Sequence, residues 1–194
     1  MPFVPPPEAA PWFLRPMLWL TRRITGKDPL PARLLAHAPK AAVGAGVFEL
    51  LAAGAPADLD GRSLAVARLV ASVVGGCPFC VDMNAATWSR AGLTAGELAL
   101  LLGDEQGRWP ELGLREAVAA RYARALSLTP VEVDPALVAE LTSRFSAREV
   151  VVLASTIAQV NFWTRFNQGL GVPAAGFFDE RACALPERFR APKG

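Results

Sequence analysis

The sequence predicts an all-α fold, and three observations lead to this prediction. Apolar residues recur at helical spacing, as in the segment that carries Val43, Val47 and Leu50. Capping boxes start two such segments, one pairing Thr94 with Glu97 and the other pairing Ser146 with Glu149. No stretch shows the convincing alternation of polar and apolar residues that indicates a half-buried strand. We therefore expect a helical bundle without a significant sheet.

The first part of the chain is predicted to be an arm followed by short helices. Residues 1–11 are rich in proline, so we expect an extended arm on the surface or on a neighbouring subunit. Large apolar side chains dominate residues 12–25, which predicts a docking helix that Pro16 should split. Residues 29–39 suit a short helix or turn, and residues 41–53 an amphipathic helix.

The rest of the chain contains helical segments separated by glycines, prolines and polar turns. The segment 62–74 is apolar on most sides, so we expect a buried helix there. Further helices are predicted at residues 78–91, 94–102, 114–128, 135–144 and 147–170. We divide the chain into an N-terminal arm and docking helix (1–30), a helical domain (31–173) and a loop-like tail (174–194).

Composition limits the classes of function. A chain of 194 residues with 52% hydrophobic residues suits one domain with a sizeable core. The net charge of +2 gives no indication of a nucleic-acid partner or a membrane surface. Three cysteines and the lack of a secretory signal favour a reducing cytoplasm. No apolar run has the length of a membrane span.

A C-x-x-C pair, Cys77 and Cys80, follows two glycines and encloses Pro78. Proline is tolerated at the first helical position, so this spacing predicts a helix with Cys77 at its N-cap and Cys80 in its first turn. The positive end of the helix dipole stabilises a thiolate. Because residues three apart on a helix are neighbours, the two sulfurs can also form a disulfide. These properties indicate a redox site.

The pair has two simpler interpretations. Half of a zinc site needs two more ligands, and the other soft ligands, Cys183 and His37, are isolated in the sequence. We interpret Cys183 as a bystander thiol and His37 as a structural hydrogen-bonding group. The two cysteines of the pair could instead be inert and buried, but the Gly-Gly-Cys-Pro context counts against this. We expect no metal and no organic cofactor.

A faint internal repeat relates two apolar segments at an offset of 84 residues. It aligns Leu69 with Leu153, Ser72 with Thr156, and Cys77 with Asn161. Two similar helical units that pack face to face would explain it.

At these residues the sequence resembles the AhpD-like alkylhydroperoxidases, which are grouped with the carboxymuconolactone decarboxylases. The resemblance rests on residues 68–84, R-L-V-A-S-V-V-G-G-C-P-F-C-V-D-M-N, and on A-G-L-T at 91–94. The later segments N-F-W-T-R-F-N (161–167) and L-G-V-P (170–173) are similar to what family members carry after their long helix. The resemblance covers residues 35–173.

The resemblance implies trimers or hexamers and a dithiol that reduces peroxides, with Cys80 attacking and Cys77 resolving. In the reducing peroxidases a histidine and a glutamate also move protons. Asn84 stands at the position of the histidine here, and Ala65 at that of the glutamate. Asparagine does not titrate near neutral pH, so we assign Asn84 only a supporting role. Glu149 takes the place of the glutamate in the second repeat, where capping explains it more simply.

The leading hypothesis is a thiol-dependent oxidoreductase that reduces peroxides or disulfides through its dithiol. Its expected partners are a peroxide or other small molecule and a thiol or dithiol reductant protein. Two alternatives remain: a non-catalytic redox-sensing or binding oligomer, and a decarboxylase-like lyase, against which the lack of a nearby histidine counts. We also expect Trp12, Phe13 and Trp19 to lie partly between subunits of a homotrimer or hexamer.

Overall fold

The computed structural model describes residues 2–53, 59–103, 109, 111–179 and 184–191, with the side chains of 51–53 left out. These residues form helices and connecting turns without a strand, which confirms the predicted all-α fold. The α-helices are α1 (Arg15–Thr25), α2 (Leu30–Leu35), α3 (Pro39–Ala53), α4 (Gly61–Val74), α5 (Pro78–Ala85), α6 (Ala95–Gly103), α7 (Leu114–Ser127), α8 (Pro135–Arg144) and α9 (Ala147–Gly169). Among these helices, none is both long and apolar enough to cross a membrane.

Helix α4 lies at the centre of the bundle. Nine of its 14 residues are buried, and it packs mainly against α7 and α9, with α5 and α6 beside it. Asp60 caps its N-terminus by accepting a hydrogen bond from the Ser63 N–H at 2.7 Å. Side chains such as Val66 and Leu69 are completely buried, and burial of each stabilises the fold by about 1.5–3 kcal/mol. This buried central helix positions the turn that follows it.

Arg115 of α7 holds the N-terminal ends of α4 and α9 together. Its guanidinium lies 3.4 Å from the carboxylate of Asp60 and 2.6 Å from that of Glu149. The capping box of α9 is present, because the Ser146 N–H donates to Glu149 at 2.7 Å and the Glu149 N–H donates to the Ser146 hydroxyl at 3.3 Å. The Ser146 N–H and the guanidinium of Arg115 lower the pKa of Glu149. Glu149 therefore acts here as a helix cap and ion-pair partner.

The two helices of the proposed repeat, α4 and α9, pack against each other. Two pairs of aligned positions are buried in both helices: Leu69 with Leu153, and Ser72 with Thr156. The similarity ends at the third pair, because Cys77 precedes a new helix whereas Asn161 lies within α9.

Two local predictions were wrong. Pro16 does not split the docking segment, because a 3-10 helix (Trp12–Leu14) leads directly into α1 and Pro16 occupies the first turn, where its missing N–H is not needed. Helix α5 ends at Ala85 rather than at residue 91. The N–H and the hydroxyl of Thr87 both donate to the Asn84 carbonyl, at 3.3 and 3.0 Å. Because this N–H bonds to the third residue before it rather than the fourth, the α-helix ends and a series of turns begins.

Several apolar residues of helices α1 and α3 face solvent. Val43, Val47 and Leu50 of α3 are 46%, 51% and 74% exposed, so the apolar face predicted for this helix does not point into the core of the single chain. Helix α1 has no buried residue, and Trp19 is 65% exposed. Leu14 alone of the docking segment is buried. These faces form an apolar surface on the single chain.

The described part of the tail contributes to the main core. Phe178, Leu185 and Phe189 are buried and belong to the same apolar cluster as α4 and α7. The division of the chain at residue 174 stays a prediction. Cys183 lies outside the described residues.

Candidate active site

The dithiol turn, residues 75–80, begins with a Schellman motif at the end of α4. The N–H of Gly76 donates to the Val73 carbonyl at 3.0 Å, and the N–H of Cys77 donates to the Ser72 carbonyl at 3.3 Å. Gly76 has a φ of 70°, in the left-handed region that glycine adopts without strain. The motif places Cys77 directly beyond the end of α4.

Gly75 allows α9 to approach this turn closely. A Cβ atom at Gly75 would collide with the methyl group of Thr164 on α9. The Gln168 side chain, one turn further along α9, donates a hydrogen bond of 2.7 Å to the Gly75 carbonyl. Gly75, the first glycine of the pair, is therefore needed for packing between helices.

Cys77 is the N-cap of α5, as the sequence predicts. Its sulfur accepts a hydrogen bond from the Cys80 N–H at 3.2 Å, and Pro78 occupies the first turn. The Cα atoms of the two cysteines are 5.3 Å apart, and their sulfurs form a disulfide. The sulfur of Cys77 therefore satisfies one of the free N–H groups at the positive end of α5.

Asn167 of α9 contacts both sulfurs. Its side-chain nitrogen donates to the sulfur of Cys80 at 3.4 Å and lies 3.9 Å from that of Cys77. Its side chain is 1% exposed, and its amide oxygen is buried with no hydrogen-bond partner among the described residues. The Asn167 carbonyl accepts from the Val172 N–H at 2.9 Å, which closes a second Schellman motif at Gly171 (φ 65°).

Sequence reasoning did not single out Asn167 as a site residue, although it ends the quoted segment 161–167. A polar residue near the end of an apolar helix was the available signal. Its 87-residue separation from Cys80 concealed the contact.

Asn84 does not reach either sulfur. Its side-chain nitrogen donates to the Ser72 hydroxyl and to the Cys80 carbonyl, both at 2.9 Å. Asn84 therefore joins α5 to α4 and supports the site through the backbone of Cys80. Ala65, at the glutamate's position, is on α4 two helical turns before Ser72.

Arg68 lies between Ala65 and Ser72 on α4 and is charged. Burial lowers the pKa of Arg68, and the nearby carboxylate of Glu49 partly offsets this effect. Glu49 in turn accepts a hydrogen bond of 2.9 Å from the Trp163 indole. Arg68 is thus a cation about one helical turn from Ala65, the position that corresponds to the glutamate of the resembled peroxidases.

The dithiol is buried in a second apolar cluster. Cys77 and Cys80 are 0% and 1% exposed, and they pack with Leu34, Phe79 and Val172. A reagent can therefore reach the sulfurs only if the covering residues move or if it is small.

Asp82 anchors the tail over this cluster. Its carboxylate is 1% exposed and accepts four backbone N–H bonds of 2.7–3.1 Å from residues 175–178. One of the anchored residues, Phe177, packs edge to face on Phe79 with ring centroids 5.6 Å apart. The sequence contained Asp82 within the C-x-x-C motif but gave no sign of this role.

The N-terminal arm runs close to the same region. The N–H of Phe3 donates to the Leu170 carbonyl at 2.9 Å, and the Phe3 ring lies against Gly171. Nε2 of His37 lies 2.9 Å from the Pro5 carbonyl oxygen. His37 therefore holds the arm, in agreement with its interpretation as a structural group. The described residues contain no cluster of three side chains that could hold a metal ion.

Comparison of the sequence with known proteins identifies a relative of this chain. No protein-family model matches the chain. The uncharacterized protein YnjA of Escherichia coli (strain K12) is 32% identical over 187 residues, which cover 95% of this chain and 98% of YnjA.

Two solved structures show the same fold. The AhpD core of an uncharacterized peroxidase-related protein from Ralstonia eutropha JMP134 has a TM-score of 0.75 at 17% identity, covering 95% of this chain and 98% of that one. A cysteine-to-alanine variant of the debrominase Bmp8, in complex with 2,3,4-tribromopyrrole, has a TM-score of 0.74 at 19% identity, covering 90% and 92%. Proteins with this fold thus include enzymes. The chain belongs to the same family as YnjA and has the AhpD-like alkylhydroperoxidase fold.

Proposed function

We propose that the protein is a thiol-dependent oxidoreductase that reduces a peroxide or a disulfide through Cys77 and Cys80. The supporting observation is the Cys77–Cys80 disulfide at the N-terminus of α5, with the amide of Asn167 directed at both sulfurs. A dithiol in this position can ionise and can also pair.

The proposed reaction converts the dithiol to a disulfide in two steps, of which the first consumes the peroxide, and a third step reduces the disulfide. The Cys80 thiolate attacks a peroxide oxygen and the O–O bond breaks, so that Cys80 becomes a sulfenic acid and the alkoxide takes a proton from water and leaves as the alcohol. The Cys77 thiol then displaces this hydroxyl as water and forms the disulfide. A dithiol protein reduces the disulfide and is itself oxidised to a disulfide. The roles of Cys80 and Cys77 follow the resemblance.

Hydrogen-bond donors replace the proton relay in this proposal. Among the described residues, only the Cys80 N–H and the Asn167 amide donate to a sulfur, and neither group titrates near neutral pH. Both donors stabilise a thiolate. General acid–base help is typically worth ~10²–10⁴-fold in rate, so we expect slower peroxide reduction than in a site with a histidine relay.

A redox sensor is the second candidate function, and the burial of both sulfurs favours it. A dithiol that is 0% and 1% exposed exchanges slowly with large protein reductants. In that case the pair oxidises and is reduced reversibly without sustained turnover.

One experiment distinguishes the two candidates. The thiols of the reduced Cys183→Ser variant are counted after addition of hydrogen peroxide or cumene hydroperoxide, and peroxide consumption is then followed with an added dithiol. Turnover supports the oxidoreductase, a reversible couple without turnover supports the sensor, and an inert dithiol contradicts both. In the same background, Cys80→Ser should abolish sulfenic acid and Cys77→Ser should trap it. The reverse pattern would exchange the two roles.

We also propose that the protein forms a homotrimer or hexamer and acts in the cytoplasm. The exposed apolar residues of α1 and α3, including Trp19 and Leu50, support an interface with further copies of this chain. The small number of cysteines supports a reducing compartment.

A further inference from the structure

A cavity of about 380 Å³ lies between α4, α6, α7 and the tail, apart from the sulfurs. Gly76 of the dithiol turn is one of its lining residues. No described lining residue belongs to the apolar cluster that surrounds Cys77 and Cys80. The cavity is therefore a second candidate site on the same molecule.

The cavity combines an apolar wall with two cations. Val70 and Val73 of α4 and Leu101 of α6 form part of the wall, and the cations are Arg124 of α7 and Arg188 of the tail. No acidic side chain is among the lining residues that the structure describes. No hydrogen bond or ion pair joins the Arg124 side chain to a described residue, so its guanidinium has donors for a ligand.

Trp109 gives a second, independent indication of a ligand. Trp109 is one of the lining residues and is only 6% exposed, and its indole N–H is buried without a hydrogen-bond partner among the described residues. Buried polar groups are nearly always paired, because an unpaired donor is unfavourable. An oxygen atom of a bound molecule would satisfy this donor once the side chains that enclose the indole nitrogen move aside.

We propose that the cavity binds a small organic carboxylate with an apolar body. The fork of guanidinium donors on Arg124 matches the two oxygens of a carboxylate. The apolar wall would bury a hydrocarbon chain or ring, which a bare inorganic anion lacks. The volume is within the range of small-molecule sites, about 300–1,000 Å³. This site is additional to the dithiol and does not depend on the function proposed for it.

Octanoate and its neutral isostere octanamide test the proposal by isothermal titration calorimetry on the full chain. Octanoate should bind at least about tenfold more tightly than octanamide, since hydrogen bonds to charged groups are the strong ones. Arg124→Gln should reduce octanoate affinity at least about tenfold, and Trp109→Phe about three- to tenfold. The matched control is Arg121→Gln on the same helix, because Arg121 pairs with Glu140 at the surface and should not affect binding.

Other results would overturn the proposal. They are an absence of octanoate binding, equal binding of octanamide, an unchanged affinity of folded Arg124→Gln protein, and equal competition by inorganic phosphate, which would indicate a simple anion site. The variant with both Cys77→Ser and Cys80→Ser should bind octanoate like the natural protein while losing any peroxide reaction. Loss of octanoate binding in this variant would contradict the assignment of two separate sites.

Discussion

Replacement of Asn167 by leucine should make the reduced dithiol less reactive without unfolding the protein. Leucine has nearly the shape of asparagine but lacks the N–H group that lies 3.4 Å from the Cys80 sulfur and 3.9 Å from the Cys77 sulfur. The fold should tolerate Asn167→Leu because the amide oxygen that it removes is buried and has no partner among the described residues.

The size of the effect follows from the strength of the lost hydrogen bond. Hydrogen bonds to charged groups contribute about 1.5–3 kcal/mol, and the long distances favour the lower value. A loss of about 1.5 kcal/mol corresponds to roughly a tenfold smaller thiolate population at a pH where the thiol is mostly protonated. Stabilisation of a thiolate favours the reduced form, so Asn167→Leu should also make the reduction potential up to about 30 mV more negative.

Two measurements check this prediction in the Cys183→Ser background. The rate of alkylation of the reduced protein by iodoacetamide, measured against pH, reports the thiolate population. Equilibration with glutathione mixtures of known potential gives the reduction potential of the Cys77–Cys80 couple. We expect slower alkylation at neutral pH and a more negative potential in the Asn167→Leu variant.

Asn161→Leu is the matched control, since it makes the same change on the same helix. Asn161 donates to the Leu126 carbonyl at 3.0 Å, so this variant should lose stability while its dithiol reacts normally. A folded Asn167→Leu variant with unchanged alkylation and potential would refute the role that we assign to Asn167.

Four further predictions concern the tail, the helix cap, the subunit interface and the missing relay. Asp82→Asn should lower Tm by roughly 5 °C. The two oxygens of the carboxylate accept four N–H bonds, whereas an amide has only one oxygen to accept them. An unchanged Tm would mean that packing alone holds the tail. Hydrogen bonds of the capping box lower the folded-state pKa of Glu149. The ionised Glu149 side chain therefore contributes its full stabilisation above the unfolded-state pKa, and this stabilisation is lost as the pH falls through the folded-state pKa. Glu149→Gln should therefore flatten the acid side of the stability profile measured in urea, and an identical profile would contradict this. Trp19→Asp should lower the mass measured by light scattering, and a natural protein of 20.6 kDa, one chain, would refute the interface. Ala65→Glu combined with Asn84→His should raise peroxide reduction at least about tenfold, with smaller effects of the single changes. Unchanged turnover of a folded double variant would mean that the site works by another route.

Local signals in the sequence were sufficient to predict the helices and the position of the dithiol. The capping boxes and the Gly-Gly-Cys-Pro turn act through hydrogen bonds and φ preferences between residues that are three to five apart. Such interactions depend only on residues that are close together in the sequence. For this reason Cys77 could be assigned as a helix cap before its environment was known.

The surroundings of the dithiol could not be predicted in the same way, because they depend on long-range contacts. Asn167 lies 90 residues from Cys77, and the N–H groups that Asp82 accepts lie 93 to 96 residues along the chain. The unpaired indole of Trp109 has no local signature either. The residues that flank an asparagine, an aspartate or a tryptophan in the sequence do not indicate whether its polar group contacts water, a sulfur atom or a cavity.

The exposed face of α3 shows the same limit most simply. The spacing of Val43, Val47 and Leu50 determined that these side chains share one face of a helix. Only the tertiary structure decided that this face points away from the core of the single chain. Periodicity fixes which residues lie together on a helix, whereas the packing of the other helices fixes what that face contacts.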